Sequence, residues 1–190
     1  KKYLKMKYNK PGNVFLGVVH RLDRPVSGLV TFAKTSKALS RLNDMFRNGD
    51  VHKTYWALTR NYPPAEEGTL THWLRRNEQQ NKSYAYDQEV PGSKKAMLKY
   101  RVIGHGDNYT LLEVNLLTGR HHQIRCQLAK MGCPIKGDLK YGAKRSNADG
   151  SISLLSRHVE FIHPVSKELI KADAPLPDGP VWRDLAPKDE

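Results

Sequence analysis

One carboxylate stands between two guanidinium groups in the stretch His20-Arg21-Leu22-Asp23-Arg24-Pro25-Val26-Ser27-Gly28-Leu29. Arginine at −2 and +1 sets positive charge beside the acid and favours its ionised form. Asp23 therefore reads as a nucleophile or a base and as a poor proton donor. The apolar run Val14 to Val19 leads in, and Leu29-Val30-Thr31-Phe32-Ala33 leads out. Pro25, Ser27 and Gly28 shape a loop between these runs, and loops on a rigid scaffold are where chemistry tends to sit. Taken locally, a structural ion pair beside a turn explains the same residues, because ion-pair networks also perturb carboxylates. A second polar cluster is Thr118-Gly119-Arg120-His121-His122-Gln123-Ile124-Arg125. It reads as the start of a helix capped by Thr118 and stopped by Gly132, with Ile124, Leu128 and Met131 as its buried stripe. Arg125 lies beside that stripe and His121 one turn earlier. Such a helix start offers free amides and basic side chains to an anion.

Other chemistries are less well supplied. His122 and Cys126, four apart, resemble half of a zinc site, but the sequence offers no matching second pair, so no metal is expected. Cys126 and Cys133 do not form a C-x-x-C pair and read as free thiols in a reducing cytoplasm. A glycosidase would need a second acid within ~5–10 Å of the first. The only carboxylate in the polar motifs besides Asp23 is Asp138, which reads as structural within the turn Lys136–Gly142.

The 190 residues carry 32 Lys+Arg against 19 Asp+Glu, a net charge of +13, which points to a polyanionic partner. The basic residues are dispersed and often sit beside aromatics, as in Lys53-Thr54-Tyr55-Trp56 and Lys99-Tyr100-Arg101. That mixture suits phosphate contact with base stacking better than one amphipathic membrane helix. No run of about 18 apolar residues exists, so no membrane-spanning helix is expected. The length suits one domain, residues 1–190. The basic start lacks the apolar core of a signal peptide and an initiator Met, so a cytoplasmic chain trimmed from something longer is expected. A monomer is the favoured oligomeric state.

The elements that must hold these groups follow from periodicity. Ala38, Leu39, Leu42, Met45 and Phe46 mark one face of a helix that Thr35 or Ser36 caps and Gly49 ends, with Arg41 and Arg47 solvated. Val51–Leu58 alternates as a strand, with Val51, Lys53, Tyr55 and Ala57 on one face; Tyr55 alone there reads as core. Residues 61–68 form a loop. Residues 75–95 are polar and give no period, with Arg75, Arg76, Lys82, Lys94 and Lys95 placed to track a phosphate backbone. Residues 95–103 and 109–117 read as antiparallel strands, and short strands follow at 152–155, 158–162 and 167–171. The Pro-rich tail from Ala174 is expected to pack loosely.

Three separated stretches fit one pattern: H-R-L-D-R-P-V-S-G-L, then K-T-Y-W-A, then L-L-T-G-R-H-H-Q-I-R-C-Q-L-A-x-x-G-x-P-I-x-G-D-x-x-Y-G. Together they resemble the RluA-type pseudouridine synthases, over about Val14 to Pro164. The resemblance implies an α+β fold, a mixed, largely antiparallel sheet with flanking helices. It implies isomerisation of uridine to pseudouridine in structured RNA, ribosomal or transfer, with no cofactor or metal. Residue by residue, Asp23 resembles the family's catalytic aspartate, and Arg125 the arginine that pairs with it. Tyr55 resembles the tyrosine that stacks on the target base and is a candidate for removing the C5 proton. Arg21 resembles the arginine that fills the gap left by the extruded nucleotide. Arg24, Lys53, Arg120 and His121 join Arg21 as candidate RNA contacts. Pro25-Val26 replaces the family's usual x-Thr, removing a hydroxyl. Leu155-Ser156 stands where many members have His-Ala, and the N-terminal S4-type domain of some relatives is not expected.

The chemistry needs such a set. The C1′–N1 bond must break, the uracil must turn, and C5 must join C1′. An ionised carboxylate can attack C1′ or take a ribose proton. The target must leave its stack, at about a few kcal/mol. Two other readings remain from the sequence: a catalytically silent RNA-binding module of the same fold, and a hydrolase attacking the same carbon. An acid in a basic cleft argues against the first, and the lack of a second acid against the other.

Overall fold

The structure is a computed structural model that describes residues 1–9, 14–20 and 22–188, the side chain of Lys2 aside. A short helix α1 (Lys2–Lys7) is followed by the two-residue strands β1 (Gly17–Val18), β2 (Ser27–Gly28) and β3 (Phe32–Ala33). Helix α2 (Ser36–Asn48) starts where expected, because the Thr35 hydroxyl accepts the Ala38 amide at 3.0 Å. It ends at Gly49, whose φ of 77° only glycine adopts freely.

The body of the protein is a large sheet. Strands β4 (His52–Arg60), β5 (Glu67–Asn77), β6 (Lys82–Tyr86), β7 (Lys94–His105), β8 (Tyr109–Leu116), β9 (Leu154–Ile162) and β10 (Leu169–Asp173) lie in the order β10-β9-β4-β8-β7-β5-β6. All neighbours on this path are antiparallel, and β2 adds to β9 in parallel. The fold is thus α+β with a largely antiparallel sheet and flanking helices. Residues 75–95, without period in the sequence, hold the end of β5, all of β6 and the start of β7; β7 pairs with β5 over 67–74, and β5 in turn pairs with β6 from Trp73 to Asn77. Their polar side chains face solvent from one side, as an antiparallel sheet allows. The expected break at 156–157 is absent: β9 runs on from Leu154 to Ile162, since β4 pairs one edge while β2 and then β10 pair the other.

Helix α3 (Gln123–Lys130) covers one face of the sheet, packing Ile124 and Leu128 against Tyr55, Ala57, Leu98, Leu112 and Val114. Helix α4 (Pro180–Leu185) covers the other face. It seats Trp182 against Leu58, Leu111 and Leu155. The tail is therefore packed and not loose, because a buried indole of that size anchors it. Gly104 lies at the register shift between β7 and β8, and a Cβ there would overlap the Leu185 carbonyl. Strand β2, next to the Asp23 loop, is held as closely: a Cβ at Gly28 (φ 117°) would overlap the Ser156 backbone. Below the site, a single 3₁₀ turn (Leu139–Tyr141) follows Asp138.

Candidate active site

Asp23, Tyr55 and Arg125 converge on one cavity of about 290 Å³, near the lower bound of small-molecule pockets at ~300 Å³. Each arrives on a different support. Asp23 sits in the loop before β2, where Val26 donates its amide to the Asp23 carbonyl at 2.9 Å. Tyr55 points inward from β4 at a register shift between Thr54 and Tyr55 on the β9 side. Arg125 comes from the first turn of α3.

Arg125 is a buried cation with two acidic partners. Its Nε and one terminal nitrogen donate to the two Asp138 oxygens, both at 2.8 Å, a bidentate pair. Its other terminal nitrogen is 3.6 Å from Asp23 Oδ2 and 3.2 Å from His122 Nε2. Burial works against the Arg125 charge, but the hydrogen bonds and charge of Asp138, joined by Asp23, outweigh it and raise its pKa. Asp138 is 1 % exposed, whereas the Asp23 side chain keeps 38 % of its surface. One acid fixes the guanidinium, and the other faces the open cavity.

His122 adjoins both. Its Nε2 is 3.4 Å from Asp23 Oδ2, and its Nδ1 is 2.7 Å from the Tyr141 hydroxyl. Burial first, then the Arg125 charge, push its pKa down to about 3, so the ring is neutral at pH 7. The Tyr141 hydroxyl accepts the Ser83 amide at 2.9 Å, and its burial pushes its pKa up to about 12. His122 also has a left-handed backbone at φ 53°, uncommon for a residue with a Cβ. The Tyr141 bond and a stacked His121 ring at 3.8 Å hold it there. Tyr55 is buried, which raises its phenol pKa; the Ser156 hydroxyl opposes the shift and the Asp23 charge adds to it. Burial likewise lowers the pKa of Lys53.

The helix begins four residues later than Thr118 suggests. Thr118 does not cap it: its hydroxyl accepts the Met97 amide at 2.9 Å and donates to Gln123 Oε1 at 2.8 Å. Gln123 Oε1 also accepts the Arg120 amide. These side-chain bonds fold 118–122 into a turn, so the amides of that turn do not form an open helix end. Lys53, Arg120 and His121 line the cavity with the three central residues. Arg24 is exposed and does not line it, and Arg21 lies outside the described residues, as does Lys10-Pro11-Gly12, a partial match to the Lys-Pro-Gly-type segment that the resemblance implies upstream of Asp23. Sequence reasoning gave Asp138 only a structural part, weighed His122 only as a zinc ligand and gave Tyr141 no role. The run Gly137-Asp138-x-x-Tyr141-Gly142 was the available signal, but nothing in one sequence says which cation Asp138 meets. Cys126 donates its thiol to the Ser83 carbonyl, and among the described residues no His, Cys, Asp and Glu cluster suits a metal.

Comparison with known proteins identifies the family. The sequence pattern of the RNA pseudouridylate synthase family matches residues 1–130. The chain belongs to that family. An uncharacterized RNA pseudouridine synthase of Chloroflexus aurantiacus is 38 % identical over 167 residues, covering 87 % of this chain and 52 % of that protein. Ribosomal large subunit pseudouridine synthase C of Vibrio cholerae is 32 % identical over 173 residues, 88 % of this chain and 54 % of that protein. The chain thus spans about half the length of these relatives. Human RNA pseudouridylate synthase domain containing 4 shares the fold at a TM-score of 0.75 and 22 % identity, over 91 % of this chain and 76 % of that one.

Proposed function

We propose that this chain is a single catalytic domain that isomerises uridine to pseudouridine in structured RNA, with Asp23 as the reacting carboxylate. The observation that carries the reading is one cavity holding a half-exposed acid, a buried phenol and a buried guanidinium fixed from behind by a second acid. Relatives named for the ribosomal large subunit favour a ribosomal RNA stem-loop over a transfer RNA. The setting is the cytoplasm.

The everted uridine enters with its ribose toward Asp23 and its base against Tyr55. Asp23 attacks C1′, or takes a ribose proton; either way the C1′–N1 bond breaks and the electron pair stays on uracil. Arg125 lies beside Asp23 and opposes the negative charge at this point. The ring turns and C5 bonds to C1′: on the first route this displaces the Asp23 carboxylate, and on the second Asp23 first returns its proton to C2′, so the free carboxylate is restored either way. Net change moves one proton from C5 to N1. Tyr55 begins as a neutral phenol, since burial raises its pKa. It gives its proton to the uracil anion and then recovers one from C5, which balances the step without any cofactor. Lys53, Arg120 and His121 at the cavity wall meet the phosphates and sugar edges around the target.

Asp23→Asn tests the reading. Pseudouridine formation in ribosomal RNA falls to background while RNA affinity stays within a few-fold, because the exposed acid contributes little to binding. Turnover near the unaltered rate removes Asp23 from the mechanism. Tyr55→Phe keeps the stacking face and loses the proton carrier, so RNA binding persists while turnover drops by ~10²–10⁴. A drop under tenfold excludes the phenol as carrier.

A further inference from the structure

A second cavity of about 550 Å³ lies at the far end of β4, lined by Arg60, Asn61, Tyr109, Lys136, Lys144 and Arg145 among others. Four cations face it and no carboxylate lines it. None of the four forms an ion pair among the described residues. Like charges gathered in one concavity repel, and that repulsion is relieved when a polyanion enters.

Two of the cations are pre-positioned. The Tyr109 ring has Arg60 Cζ 5.7 Å and Lys136 Nζ 5.6 Å from its centroid. Lys136 also donates to Asn147 Oδ1 at 2.6 Å, and Asn147 is anchored on Ser153 at 3.1 Å. Pairing of 134–136 with the end of β4 fixes the backbone: Arg60 donates its amide to Pro134 and Lys136 to Leu58. Lys144 and Arg145 come from the exposed loop after Gly142. The carboxylate of Asp149 feels Lys136 only weakly and is held by the Ser151 hydroxyl and amide.

This cavity is not the active site. Arg60 follows Tyr55 by five positions on one strand, a separation of ~17 Å at the usual rise, and no residue lines both cavities. We propose that it is a second binding site, for a ligand presenting clustered phosphates. Two sources share that chemistry: the backbone of the substrate RNA away from its target nucleotide, and a free polyphosphate. The RNA source rests on the function proposed above, and the free-phosphate source does not.

The test uses the whole chain and the Lys144→Ala/Arg145→Ala double variant, whose side chains lie on an exposed loop and carry no packing. Inorganic tripolyphosphate is expected to raise the melting temperature of the unaltered chain and of Lys53→Ala, and to lose most of that shift with the double variant. A ribosomal RNA fragment titrated at several salt concentrations reads the source. If the RNA backbone is the ligand, the double variant weakens binding about tenfold and lowers the slope of log K against log salt by ~1.4–1.8, two phosphate contacts. An unchanged RNA slope together with a lost tripolyphosphate shift assigns the site to a free polyphosphate. Equal tripolyphosphate shifts and equal RNA slopes in both proteins overturn the proposal. A chain that binds tripolyphosphate here yet never isomerises uridine would overturn the proposed function alone.

Discussion

Replacing Asp138 with Asn isolates what holds Arg125. Asp138 is 1 % exposed and accepts two Arg125 bonds, each 2.8 Å. Asn keeps one oxygen and turns an NH₂ toward a nitrogen of the guanidinium, so one bond is lost and donor faces donor. A hydrogen bond to a charged group contributes ~1.5–3 kcal/mol, and breaking a buried ion pair costs ~3–5 kcal/mol. The remaining acid, Asp23, is 3.6 Å away and too exposed to replace it. The expected loss is about 3 kcal/mol, which for a domain of this size lowers the melting temperature by roughly 10 °C. Urea denaturation of Asp138→Asn, Arg125→Met and the double variant measures it. Removing both charges together leaves no unpaired ion, so the double variant should be more stable than the sum of the singles by about 2 kcal/mol or more. Turnover of Asp138→Asn should fall further than RNA affinity, since Arg125 loses its aim at Asp23. Single losses under about 1 kcal/mol, or strict additivity, refute the reasoning.

Two further perturbations follow from the same geometry. His122 is held near pKa 3 and His20 near 4, both first by burial, whereas each takes a proton near ~6.5 when unfolded. Both folded values are depressed, so their contribution is fully present above pH 6.5 and is lost as pH falls toward 4. Urea midpoints at pH 7, 6 and 5 should show a slope approaching ~1.4 kcal/mol per pH unit for each histidine, and a flat profile over that range contradicts the buried neutral rings. Gly28→Ala puts a Cβ into the Ser156 backbone at a φ that alanine adopts poorly. It should separate β2 from β9 and abolish turnover; near-normal activity shows that Asp23 does not depend on that seam.

Much of this molecule is legible in its sequence. Helix α2 is marked by its own Thr35, stripe and Gly49, all local features. Strands β7 and β8 are marked by alternation around a turn. Asp23 stands out because two arginines flank it, and Arg125 because it opens an amphipathic helix. Where the signal was not local, the reading missed. The end of β5 and the whole of β6 lie in the polar stretch 75–95 and are made into strands by the hydrogen bonds of a neighbour. Trp182 is buried by Leu58, Leu111 and Leu155, which are distant in sequence.

Three motifs in order along the chain singled out the acid, the phenol and the guanidinium through their resemblance to a family, although taken alone Asp23 reads equally as a structural ion pair and Tyr55 as core. Which acid holds that guanidinium, which one is left open to a ligand, and why His122 stays uncharged were decided by three-dimensional packing alone. Burial and the distances between charges set those properties, and both arise only when segments far apart along the chain are brought together.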